Sequence, residues 1–223
     1  ILAAAESRLA VSKAFADLHQ DAGVEDVKVM ENISQPMNVK SFESRSTQYQ
    51  LRCCFVGGMA LHKGFAVLQA ALSQWKPING KPSIRLTVID SSLSLDGEYN
   101  IYWGEVEVKF IPKVEMSQMA DFYASQDVLL APSIWPESYG LVTREALSAG
   151  LWVIASDIGA LAEPILHGKN GFRVPANDPI ALLTAIYEIP DVWSDTFQLT
   201  TALKPSHIPL WQQLDCLYTS SIQ

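Results

Sequence analysis

An α/β fold, a parallel sheet with helices on both faces, is what the order of segments in this 223-residue chain predicts. Two observations predict it. From residue 50 onward, strand-length apolar runs alternate with helix-length runs, and each unit closes on turn residues. The first of these runs, LRCCFVGG (51–58), reads as a buried strand feeding a glycine turn, the form that a strand covered on both faces takes.

Taken in order, residues 5–22 show helical spacing and end at Gly23, and VKVM (27–30) reads as a short strand. Residues 31–50 are polar, with Pro36 and several serines, and resemble a linker. After the strand 51–58 the spacing predicts a helix over 63–75 and a strand at IRLTVID (84–90). VEVKFI (106–111) alternates apolar and charged residues, so one face of that strand should be wet. A helix over 116–124, the strand DVLLAPS (127–133), a helix over 139–149 and the strand WVIAS (152–156) follow. A short FRV strand (172–174) and a helix over 178–189, capped by Asn177 or Asp178, complete the alternation. IPLWQQLDCLY (208–218) reads as a separate amphipathic helix.

Composition narrows the function. A net charge of −8 argues against nucleic acid as the main partner, because phosphate backbones are held by basic surfaces. Cys53 and Cys54 are adjacent in an apolar run and Cys216 is remote, which is no disulfide framework and suits a reducing compartment. The four histidines are scattered without metal-ligand spacing, so no metal site is expected. No apolar run reaches the roughly 18 residues that span a bilayer. The chain starts at isoleucine and reads as a piece of a longer protein.

The chemistry concentrates in WPESYGLVTREALSAG (135–150). In an open α/β sheet, ligands bind beyond the carboxyl ends of the strands, at helix N-termini. There Glu137 falls in the crevice loop and Glu145 about one turn into the following helix. The backbone amides of Gly140, Leu141 and Val142 are unpaired donors suited to a diphosphate. A carboxylate on each side of that cradle can accept hydrogen bonds from sugar hydroxyls. Alone, two acids eight positions apart more often mean a solvated helix face and loop.

The surrounding residues change those odds. PSIWPESYGLVTREALSAGLWVIASDIGALAEPILHGKNGFRV resembles the signature of the retaining glycosyltransferases of family 4, which have the two-domain GT-B fold. Their E-x7-E motif is matched by Glu137 and Glu145, followed by E-A-x-x-x-G at 145–150, V-I-A-S-D-x-G at 153–159, Glu163, and G-x-x-G at 168–171. FVGGMALHKGFAVLQAAL (55–72) resembles the family's phosphate-binding strand, loop and helix, with Lys63-Gly64 at its Lys-Gly.

The resemblance implies a Rossmann-like nucleotide-sugar-binding domain at 50–190, preceded by the end of an N-terminal domain (1–33) and a linker (34–49). C-terminal helices (191–223) would cross back to that domain. It further implies that Glu145 binds ribose hydroxyls, Glu137 the donor sugar, and Lys63 the diphosphate. Lys113 and Val114 would border the base, and Gly57 and Gly58 let the chain pass close to the donor. By position alone, Trp135 and Tyr139 flank the first glutamate, where each could line the sugar pocket or pack. Of that pair, Trp135 reads rather as a packing residue. The donor would be a nucleoside diphosphate sugar, with no cofactor. The acceptor would be a glycan or lipid-linked molecule, met together with the chain's own N-terminal domain in the cytoplasm or at the inner membrane face.

Two departures stand out. Gly58 occupies the place where the family usually has arginine, removing one of two cations expected at the diphosphate; His62 is the neighbour able to compensate. IRLTVIDSSLSLDG lacks the usual glycine-rich turn after its strand. No D-x-D triplet occurs, which argues for transfer without a metal. Rival readings are a degenerate, non-catalytic nucleotide-sugar-binding domain and a sugar-nucleotide epimerase of the same fold; a phosphorylase would need a pyridoxal-binding lysine, for which no residue makes a case.

Overall fold

The structure, a computed structural model, describes residues 7–32, 37, 50–78 and 81–192. The 34–49 linker and the 208–218 helix expected from the sequence lie outside the described residues, Met37 apart.

The first element departs from expectation. Arg8–Ala10 is a strand (β1), not the start of a helix, and pairs in parallel with β2 (Val27–Val29) in a separate two-stranded sheet. Helix α1 spans only Lys13–Asp21. Ser12 decides this: its backbone is extended (φ −153°, ψ 165°) and its hydroxyl accepts from the Phe15 amide, fixing it as the N-cap. Helical spacing of apolar residues ran on through the strand, so periodicity missed the boundary.

The main sheet has seven strands in the order β5-β6-β4-β3-β7-β8-β9. They are β3 (Gln50–Val56), β4 (Ser83–Ile89), β5 (Tyr99–Trp103), β6 (Val106–Ile111), β7 (Val128–Ala131), β8 (Trp152–Ser156) and β9 (Gly171–Val174). All neighbours are parallel except β5 and β6. Helices α2 (Phe65–Ser73) and α5 (Pro179–Val192) cover one face, packing Leu68, Leu72, Leu182 and Ile186 on Cys53, Phe55, Leu86 and Leu130. Helices α3 (Met119–Ala124) and α4 (Leu141–Ser148) cover the other, packing Tyr123, Ala146 and Leu147 on Cys54, Leu129 and Val153. The α/β fold read from the sequence is therefore the observed one. Cys53 and Cys54 point into opposite layers, and burial pushes both thiols far above their ordinary range.

The wet face expected for β6 is present: Glu107 and Lys109 stay half-exposed and pair with Arg85 and Glu98. Strand β5 went unseen in the sequence. YNIYW joins β6 through Gly104-Glu105, an antiparallel hairpin in which Tyr99 stacks on Phe110 at 4.7 Å. Gly104 has φ +60°, and a Cβ there would lie 2.8 Å from the Ser73 carbonyl.

Strand order reverses between β3 and β7. From β3 the chain winds outward through β4 and β6, then returns to β7 and winds the other way through β8 and β9. Connections leaving the carboxyl ends of β3 and β7 diverge and open a crevice between them, the place where such sheets bind ligands.

Candidate functional site

Two loops meet over that crevice. The β3–α2 loop passes Gly57 and Gly58, makes a 3-10 turn at Leu61–Lys63 and enters α2 at Gly64. Gly64 has φ +78°, and a Cβ there would lie 1.8 Å from the Pro132 carbonyl oxygen, so this close approach admits only glycine. The His62 carbonyl accepts from the Ile134 amide (2.9 Å) and the Ser133 hydroxyl (2.8 Å). The turn carrying Lys63 is thus fastened to the exit of β7.

That fastening brings Lys63 Nζ to 2.9 Å from Glu137 Oε1, with the side chains 29% and 18% exposed. Glu137 is itself held by a bridge to Gly159, and its carbonyl accepts from the Ala160 amide at 2.9 Å. A Cβ on Gly159 (φ +56°) would lie 2.8 Å from the Glu137 nitrogen. A third glycine, Gly140 (φ +69°), is the N-cap of α4, where a Cβ would meet Leu161 Cα at 2.8 Å. Among the described residues no side chain caps α4, which leaves the first-turn amides, those of Leu141 and Val142 among them, free as donors there.

Glu145 lies one turn along α4 and is 6% exposed. Its Oε2 accepts from the Tyr123 hydroxyl at 3.2 Å. Burial pushes its carboxyl above 4.5, and the Tyr123 bond partly opposes this. At the exit of β6, Lys113 is exposed and Val114 half-buried. Asp90 directly follows the neighbouring strand β4, in the turn that is not glycine-rich. Its amide donates to the Ile111 carbonyl, its Oδ1 accepts from the Ser92 amide and hydroxyl, and its buried Oδ2 has no partner among the described residues.

Lys63, Glu137, Gly57 and the start of α4 therefore converge; a Cβ on Gly57 would lie 3.1 Å from Lys63 Cβ. Lys113 and Val114 stand apart, on the β6 side of the crevice. Gly58 (φ +60°) faces open space. The burial of the two aromatic flanks runs opposite to the expectation that Trp135 is the one that packs. Trp135 is 66% exposed and lines a cleft of about 390 Å³ together with Phe15, Leu18, Pro136 and Glu137. Tyr139 is buried, its ring 4.1 Å beneath the Arg144 guanidinium and its hydroxyl donating to Asn32. The ring is turned inward because its hydroxyl finds a backbone acceptor there.

Sequence reasoning gave no role to Arg144, Ser12 or Tyr123, and none to Glu163 beyond its place in a motif. Buried Arg144 donates to the Tyr139 and Ala160 carbonyls and to Glu163 Oε2 (2.7 Å). Only the rarity of a buried arginine could have hinted at this. Among the described residues, no group of three or more His, Cys, Asp or Glu side chains could hold a metal ion, and no helix is long and apolar enough to cross a membrane.

Comparison with known proteins agrees with the fold. A family model described as "Glycosyl transferases group 1" matches residues 38–191. A D-inositol 3-phosphate glycosyltransferase from Streptomyces avermitilis is 38% identical over 84 residues, which are 38% of this chain and 18% of that protein. Among solved structures, sucrose-phosphate synthase from Thermosynechococcus elongatus superposes with a TM-score of 0.67 at 20% identity, covering 96% of this chain and 58% of that one. Anabaena HepE, solved with UDP and glucose, superposes at 0.63 and 20% identity, covering 97% and 64%. This chain spans less than two thirds of the length of each of these proteins.

Proposed function

The chain belongs to the family of group 1 glycosyl transferases, and from that premise we propose that residues 50–190 bind a nucleoside diphosphate sugar and that the whole protein transfers the sugar with retention of configuration. The observation that carries this reading is the Lys63–Glu137 pair set beside the uncapped amide end of α4. A diphosphate at those amides has a cation on one side and, beyond it, a carboxylate able to accept from the transferred sugar's hydroxyls. Glu145, recessed one turn along, takes the ribose hydroxyls, and the backbone at Lys113 and Val114 borders the base. That HepE was solved with UDP supports a nucleotide donor for this fold.

Departure of the nucleoside diphosphate is the difficult step, because charge builds on its terminal phosphate. The α4 amides are held ready for that charge, and Lys63 meets it by exchanging the Glu137 carboxylate for the phosphate. The transition state is oxocarbenium-like, the leaving phosphate stays near the incoming acceptor hydroxyl, and no metal takes part. Glycan or lipid-linked acceptors enter from the cleft beside Trp135 and meet the protein's own N-terminal domain, in the cytoplasm or at the membrane face. A second reading, a binding domain that has lost catalysis, is favoured by Gly58, where the family's second cation is missing.

Calorimetry with UDP, GDP and ADP tests donor binding; absence of heat with all three at millimolar concentration overturns it. Turnover of the matching sugar nucleotide in the presence of EDTA, with the product anomer read by NMR, tests retention and metal independence. Binding without turnover would favour the second reading.

A further inference from the structure

Three hydrogen bonds join residues 12–32 to the two residues that follow Glu137 and to Glu163. Ser12 Oγ donates to the Ser138 carbonyl at 2.6 Å, Tyr139 OH to the Asn32 carbonyl at 2.9 Å, and the Ala14 amide to Glu163 Oε1 at 2.6 Å. Ser138 and Tyr139 directly follow Glu137 in the chain. Glu163 is divided between two bodies: Oε1 holds α1, while Oε2 holds Arg144, which in turn clamps the carbonyls of Tyr139 and Ala160.

The need is mutual. Helix α1 has no acidic residue in its first turn, so its Ala14 amide would be unpaired without a carboxylate from elsewhere. The Arg144 guanidinium is buried among three acceptors, and removing any of them leaves part of a charge group unsatisfied. The clamp also fixes both ends of the Glu137 setting: Tyr139 lies two residues beyond Glu137, and Ala160 supplies the amide that holds the Glu137 carbonyl.

We propose that Arg144 and Glu163 are positioning residues that make the placement of Glu137 depend on the seating of α1 against the donor site. This rests on the function proposed above and deepens it. Because α1 also supplies Phe15 and Leu18 to the cleft beside Trp135, the sugar-facing carboxylate is set only when that wall of the cleft is in place. The nucleoside end, at Glu145 and Lys113, makes none of these contacts and stays competent either way.

The test uses the intact protein with Glu163→Ala, Glu163→Gln and Arg144→Lys. Amide hydrogen exchange is read at residues 14–15 and 137–141, affinity for UDP, GDP and ADP by calorimetry, and kcat with the matching sugar donor. The expected result for Glu163→Ala is exchange at least tenfold faster at both segments and kcat at least tenfold lower, with nucleotide affinity within threefold of wild type. Glu163→Gln, able to satisfy one partner at a time, should recover part of each loss, and it gives the same readouts if the alanine variant does not fold. Faster exchange confined to residues 14–15 would overturn the proposal. So would kcat and nucleotide affinity falling together in step with thermal stability. If the wild type binds no nucleotide, the donor-site reading fails while the exchange arm still decides whether the two segments are linked.

Discussion

Lys63 and Glu137, 74 positions apart, form an ion pair of 2.9 Å that closes the crevice between the β3–α2 and β7–α4 loops. Each is the group the proposed donor requires, and here the two serve as each other's counter-ion.

That sharing sets the first prediction. A partly exposed pair of this kind adds at most about 1 kcal/mol to stability. A lysine on a diphosphate contributes roughly 1.5–3 kcal/mol to binding. Lys63→Met should therefore lower nucleoside diphosphate affinity by more than tenfold while thermal unfolding barely moves. A drop in melting temperature without loss of affinity would make Lys63 a structural residue.

The Glu145 carboxylate is recessed on α4 and bonded only to Tyr123 among the described residues. With Glu145→Ala, two ribose hydrogen bonds disappear and affinity should fall by about 1–3 kcal/mol. Calorimetry with nucleosides lacking the 2′-hydroxyl gives an independent check, since the variant should no longer distinguish them from the ribose form.

Protonation of Glu145 gives stability and affinity opposite pH dependence. Its folded-state pKa is raised above 4.5 by burial. The stability this raised value contributes is therefore fully present below 4.5 and is lost as pH rises through the folded value. Nucleotide affinity should instead fall as pH drops through that same folded value, because the neutral acid is a poorer acceptor. Glu145→Gln should flatten both limbs. Tyr123→Phe removes the bond that lowers this pKa, so it should shift both limbs to higher pH; chemical denaturation and calorimetry across pH 4–8 read them.

Gly159→Ala places a methyl 2.8 Å from the Glu137 nitrogen at φ +56°. The left-handed backbone alone costs an alanine about 1–2 kcal/mol, and the contact must also push Glu137 away. Transfer should fall more steeply than nucleotide binding, measured as kcat against calorimetric affinity. A Cβ at Gly58 meets no atom within 4 Å, so the first atom of Gly58→Arg adds only backbone strain. A gain in nucleotide affinity there would identify Gly58 as the missing cation's position.

The sequence was most legible where chemistry and periodicity coincide. The strand-helix alternation from β3 to α5, the loop position of Glu137 and the helical position of Glu145 all follow from local pattern. What escaped it depends on contacts distant in sequence. β1 looked helical until Ser12 capped α1, and β5 is an edge strand whose only signal was an aromatic run before a glycine turn. The inward turn of Tyr139 depends on a carbonyl 107 residues away, and the clamp of Arg144 on Glu163 bridges 19. Spacing rules describe one element at a time and do not register such pairs.

The adjacent thiols of the central strand offer a last consequence. Cys53 faces the layer of α2 and α5, Cys54 that of α3 and α4, and neither ionises while buried. An alkylating reagent can reach the first only when one helical layer lifts and the second only when the other does. With Cys216 replaced by serine, mass spectrometry of single and double adducts would time the detachment of each layer, a stopwatch already built into neighbouring positions of the chain.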